Sequence, residues 1–340
     1  MTKINCAVIG MGIGEIHANF YKNYKSTNLI KIFEINKNKR KEIKKNFSDT
    51  ELVINENEIF KDPNVDLISI ASYDNYHYRH IIKAIKYKKN IFVEKPICLS
   101  LKELKEIKRK IDKSKIFLSC NFVLRENLQF QKIEKIIKKK LGSIYFIEGD
   151  YNYGRLEKIE TGWRGKIPNY SVSHGGAIHL IDLIMMYLKE LPYKVYSEGN
   201  KLMVKNKKFK LNDFIIAILK FKSKKIVKIS SNFGCVIPHH HSLKVFGKKG
   251  TIMHDIRGAI YTDSRKKNSF FSKFKLKTSR KNKIKVLKTF VDNIMLRRNT
   301  KLKENFNNII NSMLISLAIE KSILKNKSIY IDYKKLNLND

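Results

Sequence analysis

The sequence predicts two folds in tandem: an α/β doubly wound parallel sheet, then an α+β domain whose open, mainly antiparallel sheet is flanked by helices. Three features of the chain carry this. Through about the first 120 residues, apolar runs of strand length alternate with helix-period stripes. From Tyr193 onward strand patterns follow one another directly, which pairs neighbours antiparallel. Finally, 340 residues with 43% apolar content supply more core than one domain uses, so the domains are set at 1–120 and 121–340.

In order, Lys3 to Ile9 alternates into an apolar strand and meets Gly10-Met11-Gly12-Ile13-Gly14, after which Ala18 to Tyr24 reads as a helix. Glycines at such a turn permit close approach of a pyrophosphate, whose charge is met by free N–H groups and the positive helix end. This marks a dinucleotide-binding, Rossmann-type domain, with Gly10, Gly12, Ile13 and Gly14 at the phosphates. The third glycine comes one residue earlier than in the usual fingerprint, where Glu15 stands. Leu29 to Phe33 is a second strand ending at Glu34, 20 residues after Gly14, where an acid accepts hydrogen bonds from an adenosine ribose. That favours NAD. Lys37, Lys39 and Arg40 follow closely and are suited to a 2′-phosphate, which keeps NADP as the alternative.

Leu67 to Ala71 is the third strand, and Ser72 to His77 leads from its end into a helix reaching about Lys88, so Ser72 and His77 are expected beside the cofactor. Ile91-Phe92-Val93 is a buried strand that stops abruptly at Glu94-Lys95-Pro96. The carboxyl end of such a strand lies at the crevice where open α/β sheets hold ligands. Pro96 lacks an N–H and biases Lys95 toward extended backbone, which fixes where the long side chain leaves the sheet. Ser100 and Glu103 form a capping box for a helix with Leu101, Leu104, Ile107 and Ile111 as its stripe, and Phe117 to Cys120 closes the sheet.

Beyond Asn121 a helix is expected through Lys139 with Gly142 as its stop, then a strand from Ile144 into Tyr151-Asn152-Tyr153-Gly154-Arg155. A loop carries Trp163 and Arg164. Ser173 to Asp182 opens a helix with Ile178, Ile181, Met185 and Leu188 on its buried side. Strands are read at 193–198, 213–221, 226–231 and 241–246, with Lys248-Lys249-Gly250 as a hairpin turn. A helix from Glu304 to Leu324 and a strand from Ser328 to Asp332 end the reading.

Composition narrows the function classes. No signal-like segment opens the chain, and no apolar stretch approaches the ~20 residues that span a bilayer. Cys6, Cys98, Cys120 and Cys235 are scattered without a C-x-x-C pair, which fits a reducing, cytoplasmic setting; Cys98 is read as a packed residue. The formal net charge of +39 raises nucleic acid, but the lysines are spread over nearly every helix and no nucleic-acid module is visible, so neither nucleic acid nor membrane is expected as partner. On a strand, His239 and His241 face one way and His240 the other, so this run supplies at most two convergent ligands and no metal is expected.

Four separated signals together resemble the Gfo/Idh/MocA oxidoreductases, the glucose-fructose oxidoreductase and inositol dehydrogenase family. They are Gly10-x-Gly12-x-Gly14-x-x-His17, the strand-end segment to His77, Glu94-Lys95-Pro96, and Gly176-Ala177-Ile178-His179-Leu180-Ile181-Asp182. The resemblance implies an NAD(P)-dependent hydride transfer on a sugar-like hydroxyl or carbonyl, and a second domain that sets specificity and forms a homo-oligomer through its sheet. It implies Glu94 and Lys95 beside the nicotinamide, with Lys95 and His179 as the catalytic pair serving one substrate. Many members carry Asp four residues before that histidine, where this chain has Gly175; Asp182, three residues after His179 on much the same helix face, is expected to share its role. Arg125, Tyr153, Arg155, Trp163 and Arg164 are read as substrate contacts, since aromatic rings stack on sugars and arginine clamps carboxylates or phosphates, which points to an acidic or nucleotide-linked sugar. The alternative reading is a catalytically silent dinucleotide-binding regulator or scaffold.

Overall fold

Strand-length apolar runs sit where two buried faces demand them. The computed structural model describes residues 3–266, 272–274 and 282–336. By its contacts the chain forms two compact units, one built from the chain up to Asn121 together with Lys283–Ile310, the other from Phe122–Asn282 and Asn311–Lys335. The sequence boundaries assign residues 283–310 to the second domain, whereas here they belong with the first unit.

The first unit runs β1 (Ile4–Ile9), α1 (Gly14–Asn23), β2 (Thr27–Phe33), α2 (Lys37–Asn46), β3 (Glu51–Val53), α3 (Asn57–Lys61), β4 (Leu67–Ile70), α4 (His77–Lys86), β5 (Asn90–Val93), α5 (Leu101–Asp112) and β6 (Leu118–Cys120). The strands form a parallel sheet in the order β3-β2-β1-β4-β5-β6. Strand order reverses between β1 and β4, so the ligand crevice opens at their carboxyl ends. Leu67, Ile68, Ile70, Ile91, Phe92 and Val93 are fully buried, each side chain contributing about 1.5–3 kcal/mol, which is why β4 and β5 read as continuous apolar runs. The predicted cap at Ser100 is present: its side chain accepts from Glu103 N, and the Glu103 carboxylate accepts from Leu99 N at 2.8 Å, one residue before the cap. Helix α2 buries only Ile43, and Asn36 caps it by accepting from the N–H groups of Asn38 and Lys39.

The second unit runs α6 (Leu128–Lys140), β7 (Ile144–Asn152), α7 (Glu157–Glu160), a π-helical turn (Ser173–Ala177) continuing into α8 (Ile178–Leu188), β8 (Lys194–Asn200), β9 (Phe214–Lys220), β10 (Ile226–Asn232), β11 (His240–Gly247), β12 (Thr251–Asp255), β13 (Gly258–Thr262) and β14 (Ser272–Phe274). In chain order there follow α9 (Asn282–Met295), which belongs with the first unit, α10 (Asn299–Lys325), whose part up to Ile310 does too, and β15 (Ile329–Tyr330). The sheet order is β14-β13-β12-β11-β7-β10-β9-β8-β15, antiparallel except where β7 lies parallel to β10. Helix α8 packs over Gly149 of β7, where a Cβ would stand 3.2 Å from Ile184 Cδ1. The sequence expects one buried stripe on α8; instead Ile178 through Met185 are all buried, which carries His179 and Asp182 inside.

The sequence gives no sign of several short elements, α3, α7, β13 and β14 among them, nor of β3 and α9. Strand β3 is three residues long, and α9 breaks its apolar stripe with lysines, although Val286, Leu287, Phe290 and Val291 pack into the first unit's core with Met11, Tyr21 and Phe92. Helix α10 begins at Asn299, five residues before the expected start. The domain boundaries also include residues 1–2, 267–271, 275–281 and 337–340, which lie outside the described residues. Among the described residues no helix is long and apolar enough to cross a membrane.

Candidate functional site

The ends of β1, β2, β4, β5 and β6 each contribute a piece of a cradle. Gly10 follows β1 with φ +88°, and a Cβ there would stand 2.6 Å from the Ala71 carbonyl oxygen after β4, so only glycine lets the two strand ends approach. Gly14 starts α1 hard against Val8 and Ala71. A Cβ at Gly12 would meet nothing within 4 Å, and α1 has no side-chain cap on its amino end. An open backbone edge facing an uncapped ten-residue helix suits a pyrophosphate. Glu34 turns its buried carboxylate back onto this turn, accepting from Met11 N at 2.7 Å and Asn36 N at 2.8 Å. Lys39 donates to the Met11 carbonyl and Arg40 Nε to the Glu34 carbonyl at 2.6 Å, so both cations brace backbone at this point. The turn, the helix end and the acid after β2 thus fit a dinucleotide.

Glu94 and Lys95 follow β5. Glu94 Oε1 accepts from Asn121 Nδ2 at 2.6 Å and lies 3.3 Å from His17 Nε2, whose Nδ1 is 2.9 Å from Ser69 Oγ. Burial pushes the Glu94 carboxyl up, but the His17 imidazole, the Asn121 amide and the Lys95 ammonium outweigh it and hold the group at about 2. A fixed anion therefore stands beside Lys95. The sequence marks neither His17 nor Asn121 as a site residue; His17 lies three residues after Gly14, and that spacing is its signal.

His77 and Ser72 both have protein hydrogen-bond partners at the strand exits. His77 is fully buried, with Nδ1 2.6 Å from the Pro96 carbonyl and Nε2 3.0 Å from the Ser72 carbonyl, so it ties the β4 and β5 exits together. Ser72 Oγ is 3.0 Å from His80 Nδ1, whose Nε2 is 3.0 Å from Glu56. His80, with Lys83, holds the Glu56 carboxyl down at about 2 against the opposing effect of burial. Cys98 is buried, and burial pushes its thiol up, as befits a packed residue.

In the second unit His179 lies 7% exposed on α8. The Tyr151 ring of β7 stacks on it with centroids 6.3 Å apart, and the His241 and Phe122 rings meet it edge-on at 6.1 and 6.2 Å. His241 faces Tyr151 across the β11–β7 pair, and His239 is on that same side; His240 is 3.3 Å from Asn152 on the other, as strand period requires. Tyr153 stacks on Tyr151 at 5.5 Å with the Arg155 guanidinium over it at 5.3 Å. Arg164 lies over Trp163 at 4.2 Å and over Tyr170 at 5.9 Å. Of the expected substrate contacts, four thus border this aromatic cluster. The fifth does not present itself the same way: Arg125 grips Asp182 with two guanidinium nitrogens, Nε at 2.6 Å, and Ser312 Oγ is 3.2 Å from the same carboxylate. The carboxylate expected to orient His179 is held by these partners. Among the described residues no group of three or more His, Cys, Asp or Glu side chains is arranged to hold a metal.

Comparison with known proteins gives the family. Residues 4–122 match the family described as oxidoreductase, NAD-binding Rossmann fold, Gfo/Idh/MocA, and residues 130–253 match the C-terminal domain of the same family. The chain belongs to the Gfo/Idh/MocA oxidoreductase family. Among the proteins this Gfo/Idh/MocA chain resembles is myo-inositol 2-dehydrogenase of Thermotoga maritima, 25% identical, covering 96% of this chain and 98% of that protein. Its fold is similar to that of levoglucosan dehydrogenase in complex with NADH and L-sorbose, with TM-score 0.83, 17% identity, and coverage of 98% of this chain and 100% of that one. It is also similar to scyllo-inositol dehydrogenase from Lactobacillus casei with bound NAD(H) and scyllo-inositol, with TM-score 0.75, 15% identity, and coverage of 97% and 99%.

Proposed function

We propose that this chain is an NAD-dependent dehydrogenase that interconverts a secondary hydroxyl and a carbonyl on a cyclic polyol or sugar. The observation that carries the reading is the bracing of the Glu94-Lys95-Pro96 exit: Glu94 held ionised beside His17 and Asn121, and the Pro96 carbonyl held by His77. Such bracing delivers a lysine ammonium at a fixed strand end, which an unused surface lysine does not require. The resemblance to inositol and sugar dehydrogenases supports the substrate class.

The dinucleotide is held by the Gly10–Gly14 turn, the amino end of α1 and Glu34; when bound, its nicotinamide supplies the hydride acceptor. Glu34 after β2, with Lys39 and Arg40 drawn onto backbone carbonyls, supports NAD over NADP. Lys95 stabilises negative charge on the substrate oxygen as its C–H bond breaks, and His179 takes the hydroxyl proton. In the reverse direction His179 returns that proton as the carbonyl is reduced. Arg155 and Arg164, each over an aromatic ring, favour a substrate with a carboxylate or phosphate substituent. The setting we assign is a cytoplasmic homo-oligomer joined through the second sheet.

The test is Lys95→Ala, followed by reduced-nicotinamide absorbance with inositols, neutral sugars and acidic sugars. Turnover should fall by about 10²–10⁴-fold while the dinucleotide Kd stays nearly unchanged. Wild-type turnover in that variant removes Lys95 from the chemistry. Dinucleotide binding with no turnover of any polyol by the wild type favours instead a silent binding protein.

A further inference from the structure

The turn that leads into His179 has two adjacent glycines, and two tyrosines lie against them. A Cβ on Gly176 would stand 2.5 Å from Tyr151 Cδ1. A Cβ on Gly175 would stand 1.9 Å from the Tyr170 hydroxyl oxygen and 2.6 Å from its Cζ. Tyr170 is 1% exposed, so its phenol occupies the volume where any side chain at 175 would begin. Residue 175 lies four positions before His179, the spacing at which helix side chains are neighbours, about 5–6 Å apart at Cβ. The backbone here is π-helical, Ser173–Ala177, a geometry common at functional sites.

We propose that Tyr170 is the positioning residue of His179: its hydroxyl stands in place of a side chain at 175 and supplies the hydrogen-bonding group beside the imidazole. The inference rests on the proposed role of His179 as proton acceptor, but its structural half stands alone. A phenol both donates and accepts, so a group of this kind is able to pair with the imidazole in either of its protonation states. Unlike a carboxylate it brings no charge, so the imidazolium formed on proton uptake is oriented rather than neutralised. The Arg164 guanidinium over the Tyr170 ring, and the Tyr151 ring stacked on His179, fix the phenol's surroundings. The titratable groups facing this pair are Tyr151 from β7, His239 and His241 beside it, and Glu320 of α10 through Ser171; on α8 itself Asp182 is paired with Arg125.

Tyr170→Phe keeps the ring that fills the slot and removes only the hydroxyl. The first readout is the NMR titration of the His179 imidazole, assigned with His179→Gln and needing no substrate. Its midpoint should move by about half a pH unit or more in Tyr170→Phe. The second is the steady-state pH profile with a turned-over polyol: kcat should fall about 10- to 100-fold with KM for NAD unchanged, and the limb reporting the proton acceptor should shift. Incorporation of 3,5-difluorotyrosine at 170, which preserves shape and acidifies the phenol, should move that limb without the loss of kcat. An imidazole titration in Tyr170→Phe superimposable on the wild type overturns the proposal, as does an unaltered pH profile. If the wild type turns over no polyol, the functional reading fails, and the imidazole titration still decides the place of Tyr170.

Discussion

In the first unit Glu34 after β2, Ser72 after β4, Glu94 and Lys95 after β5, and Asn121 after β6 each lie within two positions of a strand end. In the second unit the groups around His179 come from α8, β7, β11 and the loop before the π-helical turn, and packing alone brings them together. The first arrangement is a property of backbone geometry; the second is a property of side chains filling space. Substitutions should therefore act differently in the two. In the first unit they should separate into those that break the backbone and those that only block a ligand, while in the second they should disturb stability and site together.

Two glycines of one turn give the sharpest test. Gly10→Ala places a Cβ 2.6 Å from the Ala71 carbonyl at φ +88°, and should cost about 3 kcal/mol or more, read as a lowered thermal midpoint and lost NADH binding. Gly12→Ala adds a Cβ that meets nothing within 4 Å, and should leave the thermal midpoint within a degree or two while raising the NADH Kd about tenfold or more. If both substitutions lowered stability equally, the open edge at Gly12 would not be a ligand edge.

The same contrast explains what the sequence made legible. The glycine turn, Glu34 and Glu94-Lys95-Pro96 are short motifs whose spacing fixes their place at strand ends, so they are legible in the sequence. His17 beside Glu94 was in view as part of a motif but not as a site residue, because its contact depends on how α1 lies over β5. Asp182 was assigned to His179 by helix spacing, yet Arg125, 57 residues earlier, takes its carboxylate. Tyr170 carries no signal: nothing in the sequence says that a residue five positions upstream fills the space left at Gly175. The short β3 and the lysine-broken stripe of α9 were missed for a related reason, since each relies on neighbours for its burial.

Two enclosed glutamates carry the comparison to pH. Glu94, with His17, Asn121 and Lys95 around it, is held at about 2, below its unfolded value near 4.5. Its contribution is therefore present above about pH 4.5 and is lost as pH falls toward 2. Glu320 on α10 is pushed up to about 7 by burial, with only a Ser171 hydrogen bond opposing. Its folded form keeps the proton, so stability is full below about pH 4.5 and declines as pH rises to about 7. Each shift corresponds to a few kcal/mol, about 3 at most. In urea unfolding, Glu94→Gln should be destabilised at pH 7, with the difference from wild type shrinking as pH falls from about 4.5 toward 2. Glu320→Gln should match wild type at pH 4 and gain stability at pH 8. Parallel behaviour of the two variants would mean that the units solvate their buried acids alike.

A smaller effect separates packing from chemistry within the second unit. Ser316 on α10 is fully buried, its hydroxyl 2.8 Å from Ser173 Oγ and 2.7 Å from His174 Nδ1, and burial pushes the His174 imidazole down to about 4. These bonds hold the π-helical turn on which Gly175 and Gly176 receive the two tyrosines. Ser316→Ala removes the shared partner and leaves a hydroxyl and an imidazole less satisfied, at a cost of about 1–2 kcal/mol. Because the turn also sets the start of α8, the loss should appear twice, in the thermal midpoint and in kcat, with the dinucleotide Kd unchanged. Ser316→Cys, which keeps a weak donor of similar size, should recover part of both. A loss of stability with kcat untouched would show that His179 is positioned from its own side of the helix, by Tyr151 and Tyr170, without support from α10.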